Sequence, residues 1–187
     1  VTIVGGGMIT LDVLLPSVYH LQRTGVVGKV AVCALQSSVL KELNENKLIV
    51  ESFPGQSFDA YPSLSEPPDK RYPDLFKEVL AKMPPRQLVV IALPDQLHHG
   101  AVMEALRCNQ HVLCVKPLAL RHDHAIEIEE EARKRGLFVG IEYHKRFDRR
   151  AMVAKRDYQL GNFGQFVMGE AKMIEPYFYR HSNFQNW

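Results

Sequence analysis

Gly5-Gly6-Gly7 stands directly after the apolar run Val1-Thr2-Ile3-Val4 and ahead of a segment with helical periodicity. Glycines at a strand-to-helix turn let the backbone approach a pyrophosphate closely, and the helix N-terminus favours its charge. Further along, Lys116 ends a second apolar run, His111-Val112-Leu113-Cys114-Val115. A lysine at the tip of a buried strand can polarise a developing alkoxide or carbonyl oxygen, and burial can move its proton affinity. The glycine turn and the strand-end lysine together suit hydride transfer to or from a nicotinamide. This reading puts Gly5, Gly7, Met8 and Ile9 at the pyrophosphate turn. Thr10 takes the third glycine position of the dinucleotide fingerprint, where it tightens the packing of helix on strand.

The elements that must hold these residues can be read from apolar periodicity. Short β-branched runs recur at Val1–Val4, Val30–Leu35, Leu88–Leu93, His111–Val115 and Leu137–Ile141. They are apolar without alternation, which predicts strands buried on both faces of a parallel sheet. Helix-period segments lie between them, at Met8–Arg23, Ser38–Asn46, Pro73–Met83, Gln96–Cys108 and His122–Arg135. The alternation predicts a Rossmann-type doubly wound α/β domain. Pro16, inside the first helix, predicts a bend there. Residues from Glu51 to Tyr72 carry Pro54, Gly55, Pro62, Pro67 and Pro68 without a period and read as a long surface loop. A helix over Phe147–Leu160, a turn at Gly161-Asn162-Phe163-Gly164 and an alternating strand over Gln165–Ile174 read as the start of an α+β substrate domain with a mostly antiparallel open sheet. The expected division is a dinucleotide-binding domain over 1–145 and the beginning of a second domain over 146–187.

The end of the second strand bears on the cofactor. It reads Cys33-Ala34-Leu35-Gln36-Ser37-Ser38, without the acidic residue that accepts the ribose hydroxyls of NAD. Ser37, Ser38 and Lys41 could surround a 2′-phosphate instead, which leans the expectation toward NADP over NAD. Ser38 could equally cap the helix that follows, and the two roles are compatible.

Four segments in order resemble the Gfo/Idh/MocA oxidoreductases, the glucose–fructose oxidoreductase and inositol dehydrogenase family. They are the glycine turn; Leu93-Pro94-Asp95-Gln96-Leu97-His98 in the place of the family's T-P-x-x-x-H; Cys114-Val115-Lys116-Pro117-Leu118 in the place of its E-K-P; and Arg146-Phe147 followed by Leu160-Gly161-Asn162-Phe163-Gly164. The resemblance implies that Lys116 lies beside the nicotinamide and holds the substrate hydroxyl, that Leu93, Pro94 and His98 belong to the cofactor site, and that the substrate is a sugar, polyol or related secondary alcohol. It also implies that Tyr143–Asp148 edges the cleft, with His144 against the nicotinamide or substrate and Arg146 against an anionic substrate group; solvated helix-entry charges are the competing reading. The Lys116–Pro117 bond is one where a cis peptide is accessible. Val115 stands where the family has glutamate and Leu93 where it has threonine, so a ribose contact and a hydroxyl are lost. The family's later D-x-x-x-H, with its acid/base histidine, would fall beyond Trp187. These departures keep open a second function, a non-catalytic nucleotide-binding sensor on the same fold.

The remaining composition narrows the possibilities. Net charge is +2 over 187 residues that are 46% hydrophobic, so no overall field calls for nucleic acid or an anionic membrane. The basic cluster Lys145, Arg146, Arg149, Arg150, Lys155 and Arg156 is interrupted by Asp148 and Asp157 and reads as a solvated helix. Neither His98-His99 nor His122-Asp123-His124 has the i, i+4 spacing of a shared metal, and Cys108, His111 and Cys114 read as core rather than as zinc ligands. Three cysteines, no leader and no run of about 18 apolar residues predict a reduced, cytoplasmic protein without a membrane span. The immediate strand at Val1 and the unpartnered strand near the end further predict a trimmed chain, which self-associates through its second domain when complete.

Overall fold

The computed structural model describes residues 1–172 and 174. Its centre is a six-stranded, wholly parallel sheet of order β3-β2-β1-β4-β5-β6, the doubly wound order expected of the strand–helix alternation. The strands are β1 (Thr2–Val4), β2 (Ala31–Cys33), β3 (Asp59–Tyr61), β4 (Leu88–Ile91), β5 (His111–Val115) and β6 (Val139–Glu142). Between them run α1 (Leu15–Arg23), α2 (Ser37–Glu45), α3 (Lys47–Ser52), α4 (Leu75–Lys82), α5 (His98–Arg107) and α6 (His122–Arg135).

Successive strand residues point to opposite faces, and each face has its own core. Ile3, Val32, Val90 and Val115 pack with Leu15, Val18, Leu40 and Leu43 under α1 and α2. Val4, Val89, Ile91, Val112 and Cys114 pack with Leu80, Val102, Leu106 and Ile128 under α4, α5 and α6. Burial on both faces is why the strands read as continuous apolar runs. Cys33 and Cys114 lie in this second core, where burial pushes both thiols up to about 12; they pack as small reduced hydrophobes.

Two segments differ from expectation in this domain. The stretch Glu51–Tyr72 is not one continuous loop: α3 ends inside it and β3 pairs in parallel with β2, Val32 opposite Ala60. Asp59-Ala60-Tyr61 is short, lacks β-branched residues and sits at the sheet edge with both end residues exposed, so nothing apolar marks it. Pro16 lies inside a helical run over 8–23, and the run widens to a π-helical turn over Thr10–Leu14 directly before it, which accommodates the missing N–H.

The end of the sheet opposite the glycine turn is pinned by a residue with no motif to announce it. Gln110 is fully buried; its Oε1 accepts from the Gln87 N–H at 2.8 Å, and its Nε2 donates to the carbonyls of Cys108 and Pro84 at 3.0 and 3.1 Å. Replacing it with leucine removes the side-chain partner of three part-buried backbone groups. Gln110→Leu should cost about 2 kcal/mol and lower the melting temperature by about 4–8 °C for a chain of this size; an unchanged melting temperature would refute the pinning role.

The chain divides into two compact units, Val1–Glu142 and Tyr143–Trp187. The second holds a 3-10 turn, His144–Phe147, and α7 (Arg149–Gln159), whose N-cap Asp148 accepts from the Arg150 N–H. The basic cluster is solvated here: Arg150 pairs with Asp148 and Arg156 with Asp157. The strand expected over Gln165–Ile174 does not form; residues 165–172 have no regular structure and are exposed. A strand needs a neighbour for its N–H and C=O groups, and among the described residues none pairs with it. Phe178, Phe184 and Trp187 lie outside the described residues. Among the described residues no helix is long and apolar enough to cross a membrane.

Candidate functional site

In a doubly wound sheet the strand order reverses between β1 and β4, and ligands bind beyond the carboxyl ends of the strands at that point. Gly5 follows β1, Leu93-Pro94 follows β4 and Lys116 follows β5, so the fold brings the three expected segments to one edge of the sheet.

The glycines are not equivalent. Gly5 has φ +117°, and a Cβ there would lie 1.9 Å from the Ala92 carbonyl oxygen. It lets the β1 turn pass against the end of β4. A Cβ on Gly6 would meet Val39 Cγ1 at 2.7 Å, so this glycine admits close packing by α2. Gly7 is different: a Cβ there would meet nothing within 4 Å. The open space lies before the N-terminus of a helical run over 8–23, the position in which backbone N–H groups can receive a pyrophosphate. The cradle therefore fits a dinucleotide. Beside it Met8 is exposed, whereas Ile9 is half-buried against the core. Thr10 is fully buried and donates to the Gly5 carbonyl at 2.7 Å, closing the turn from inside.

At the β2 end, the structure corrects the expected role of Ser37. Its side chain is fully buried and its hydroxyl donates to the Glu66 carbonyl at 2.8 Å, so it offers nothing to a 2′-phosphate. Ser38 donates to the Pro68 carbonyl at 3.0 Å, and Gln36 Nε2 to that of Asp69 at 3.2 Å. Three consecutive side chains thus hold the segment 66–69 against the end of β2. Helix α2 begins at Ser37, with Gln36 rather than Ser38 at its N-cap.

His98 is also corrected. It is fully buried and presents no atom to a ligand. Its Nδ1 lies 2.6 Å from the Pro117 carbonyl oxygen and its Nε2 2.7 Å from that of Leu93. The histidine stands beneath the site, bridging the two strand ends that carry Leu93 and Lys116. Leu93 is half-buried against the α4–α6 core and Pro94 is exposed. Lys116 is exposed at the end of β5, and the Lys116–Pro117 peptide is cis.

His144 and Arg146 belong to the second unit. Both are exposed, and the Arg146 guanidinium stands 5.0 Å from the centre of the Tyr143 ring. An open apolar hollow of about 530 Å³ lies elsewhere, between α6 and β6, lined by Ala125, Ile128, Leu137, Val139 and Ile141 among others. It lacks the glycine turn and the strand-end lysine.

A family profile described as an oxidoreductase family with an NAD-binding Rossmann fold matches residues 1–143. An uncharacterized oxidoreductase of Schizosaccharomyces pombe is 31% identical over 100 residues, which cover 54% of this chain and 27% of that protein. Among solved structures, the WlbA dehydrogenase from Chromobacterium violaceum, in complex with NADH and UDP-GlcNAcA, matches with TM-score 0.61 at 21% identity, over 87% of this chain and 40% of that one. A 3-ketoreductase from Actinomadura kijaniata, in complex with TDP-benzene and NADP, matches with TM-score 0.60 at 21% identity, over 88% and 44%. The chain thus spans less than half the length of the proteins it matches.

Proposed function

The chain belongs to the Gfo/Idh/MocA oxidoreductase family, and from that membership we propose that it transfers a hydride between a nicotinamide dinucleotide and a secondary alcohol carbon of a sugar or polyol. The observation that carries this reading is the open cradle at Gly7, on the sheet edge that also bears Lys116. The bound cofactor would supply the hydride chemistry; the protein supplies position and electrostatics. Backbone N–H groups after Gly7 hold the pyrophosphate, and Leu93 and Pro94 flank the nicotinamide. The Lys116 ammonium donates to the substrate oxygen, stabilising its charge as the carbon changes oxidation state. The UDP-GlcNAcA held by the matched WlbA dehydrogenase supports the sugar class.

Both NAD and NADP are compatible with the cradle. No carboxylate stands at positions 34–38 to accept ribose hydroxyls, and Lys41 lies one turn into α2. On these two features we assign a modest preference for NADP, now without help from Ser37.

The test is a fluorescence titration with NADPH and NADH. Because nothing lies within 4 Å of the added carbon, Gly7→Val should fold as the parent does, yet its branched side chain would occupy the phosphate position. Affinity for either dinucleotide should fall at least about tenfold, the equivalent of one lost charge-assisted hydrogen bond. Equal affinity in parent and variant refutes the site, and tighter binding of NADH than NADPH by the parent refutes the cofactor preference.

A further inference from the structure

The ring of His98 links two backbone segments that the sequence keeps 23 residues apart, Leu93 at the end of β4 and Lys116-Pro117 at the end of β5. Both of its contacts are short, both go to carbonyl oxygens, and the side chain is wholly buried. A carbonyl oxygen carries no hydrogen, so each contact is a hydrogen bond only where the ring donates: a neutral ring donates to one of the two oxygens, and donation to both at once takes the cationic ring with an N–H on each nitrogen. A glutamine amide has its donors on one nitrogen and a lysine ammonium has no plane, while an arginine fork needs a longer stem than the span between these two carbonyls leaves. Buried carbonyls left without such a donor open the structure to water or shift toward another partner.

We propose that His98 is a positioning residue, a two-donor clamp that fixes the backbone carrying Lys116 relative to the backbone carrying Leu93 and so sets the nicotinamide end of the site. The inference rests on the hydride-transfer reading for its purpose, though not for its geometry. The clamp acts from below, through main chain, and never touches the cofactor. It binds together the two strand ends that flank the nicotinamide and leaves the pyrophosphate turn, on β1, to its own hydrogen bond between Thr10 and Gly5. Its loss should therefore be felt at one end of the dinucleotide only.

That asymmetry gives the experiment. In the full protein, His98→Gln should weaken NAD(P)H about tenfold, while ADP-ribose or its 2′-phosphorylated form, which lack the nicotinamide, should bind as they do to the parent. Amide exchange at Leu93, Lys116 and Leu118 should quicken, and that at Thr10 and Leu11 should not. Parallel weakening of both ligands would mark a general loss of fold, and unchanged binding of both would mark a dispensable ring; either overturns the clamp. A second measurement does not depend on the variant folding. In the ¹⁵N-histidine-labelled parent, the ring of His98 should show a proton on each nitrogen, and a spectrum with one bare nitrogen overturns the two-donor arrangement. A parent that binds no dinucleotide would refute the hydride-transfer reading, and the ring spectrum would still decide the clamp.

Discussion

Turnover of the full-length enzyme should drop by about a hundredfold or more on Lys116→Met, the scale of losing one acid/base or oxyanion partner, while its affinity for NAD(P)H changes little. Methionine keeps the length and most of the volume of the lysine stem and removes the ammonium. The side chain is exposed at the carboxyl end of β5, so the substitution strands no buried partner and should leave stability near that of the parent. A role confined to the transition state lowers kcat and kcat/KM together. Single-turnover measurement with saturating cofactor separates this from weakened binding. Turnover that survives unchanged would make Lys116 structural, whereas a full-length parent that binds dinucleotide and turns over no sugar or polyol would favour the nucleotide-binding sensor that the Val115 and Leu93 departures keep open.

The positions that sequence reasoning placed well are those where one residue type has one physical use. Continuous apolar runs can only be strands covered on both faces, and five of the six strands were legible for that reason. The sixth, β3, was not: Asp59-Ala60-Tyr61 pairs through backbone alone at the sheet edge, and main-chain hydrogen bonding leaves no trace in side-chain pattern. The same limit governs the site. Gly5, Gly7, Leu93 and Lys116 stand at strand ends, and strand ends follow directly from strand positions. Ser37 is a candidate because no acid follows the second strand, and His98 because it takes the histidine place of the family's T-P-x-x-x-H, yet each is fully buried with its side chain against backbone carbonyls. Their acceptors, at Glu66 and Pro117, lie 29 and 19 residues away, in segments whose path no local pattern fixes.

Gly5 and Gly7 stand two residues apart in one turn, and substituting each should damage a different property. Gly5→Ala should destabilise the fold by about 4 kcal/mol: the positive φ costs a residue with a side chain about 1–3 kcal/mol, and the forced contact adds an overpacking penalty of about the same size. The added carbon would sit 1.9 Å from the Ala92 carbonyl oxygen, a backbone atom that cannot swing aside as a side chain can. Ala92 is itself tied to β1, its N–H donating to the Val4 carbonyl at 2.8 Å, and Gly5 donates to Cys33 at 2.8 Å, so relief on either side breaks the sheet ladder. A loss of this size is a large share of the ~5–15 kcal/mol that holds a typical domain together. Gly7→Ala meets neither obstacle, because its backbone lies outside the positive-φ region and no atom is within 4 Å of the new carbon; it should melt with the parent and lose dinucleotide affinity. Urea unfolding of both variants alongside a binding titration decides the matter. If Gly5→Ala unfolds at the parent's denaturant midpoint, the close passage of the β1 turn against β4 is not what requires glycine at this position.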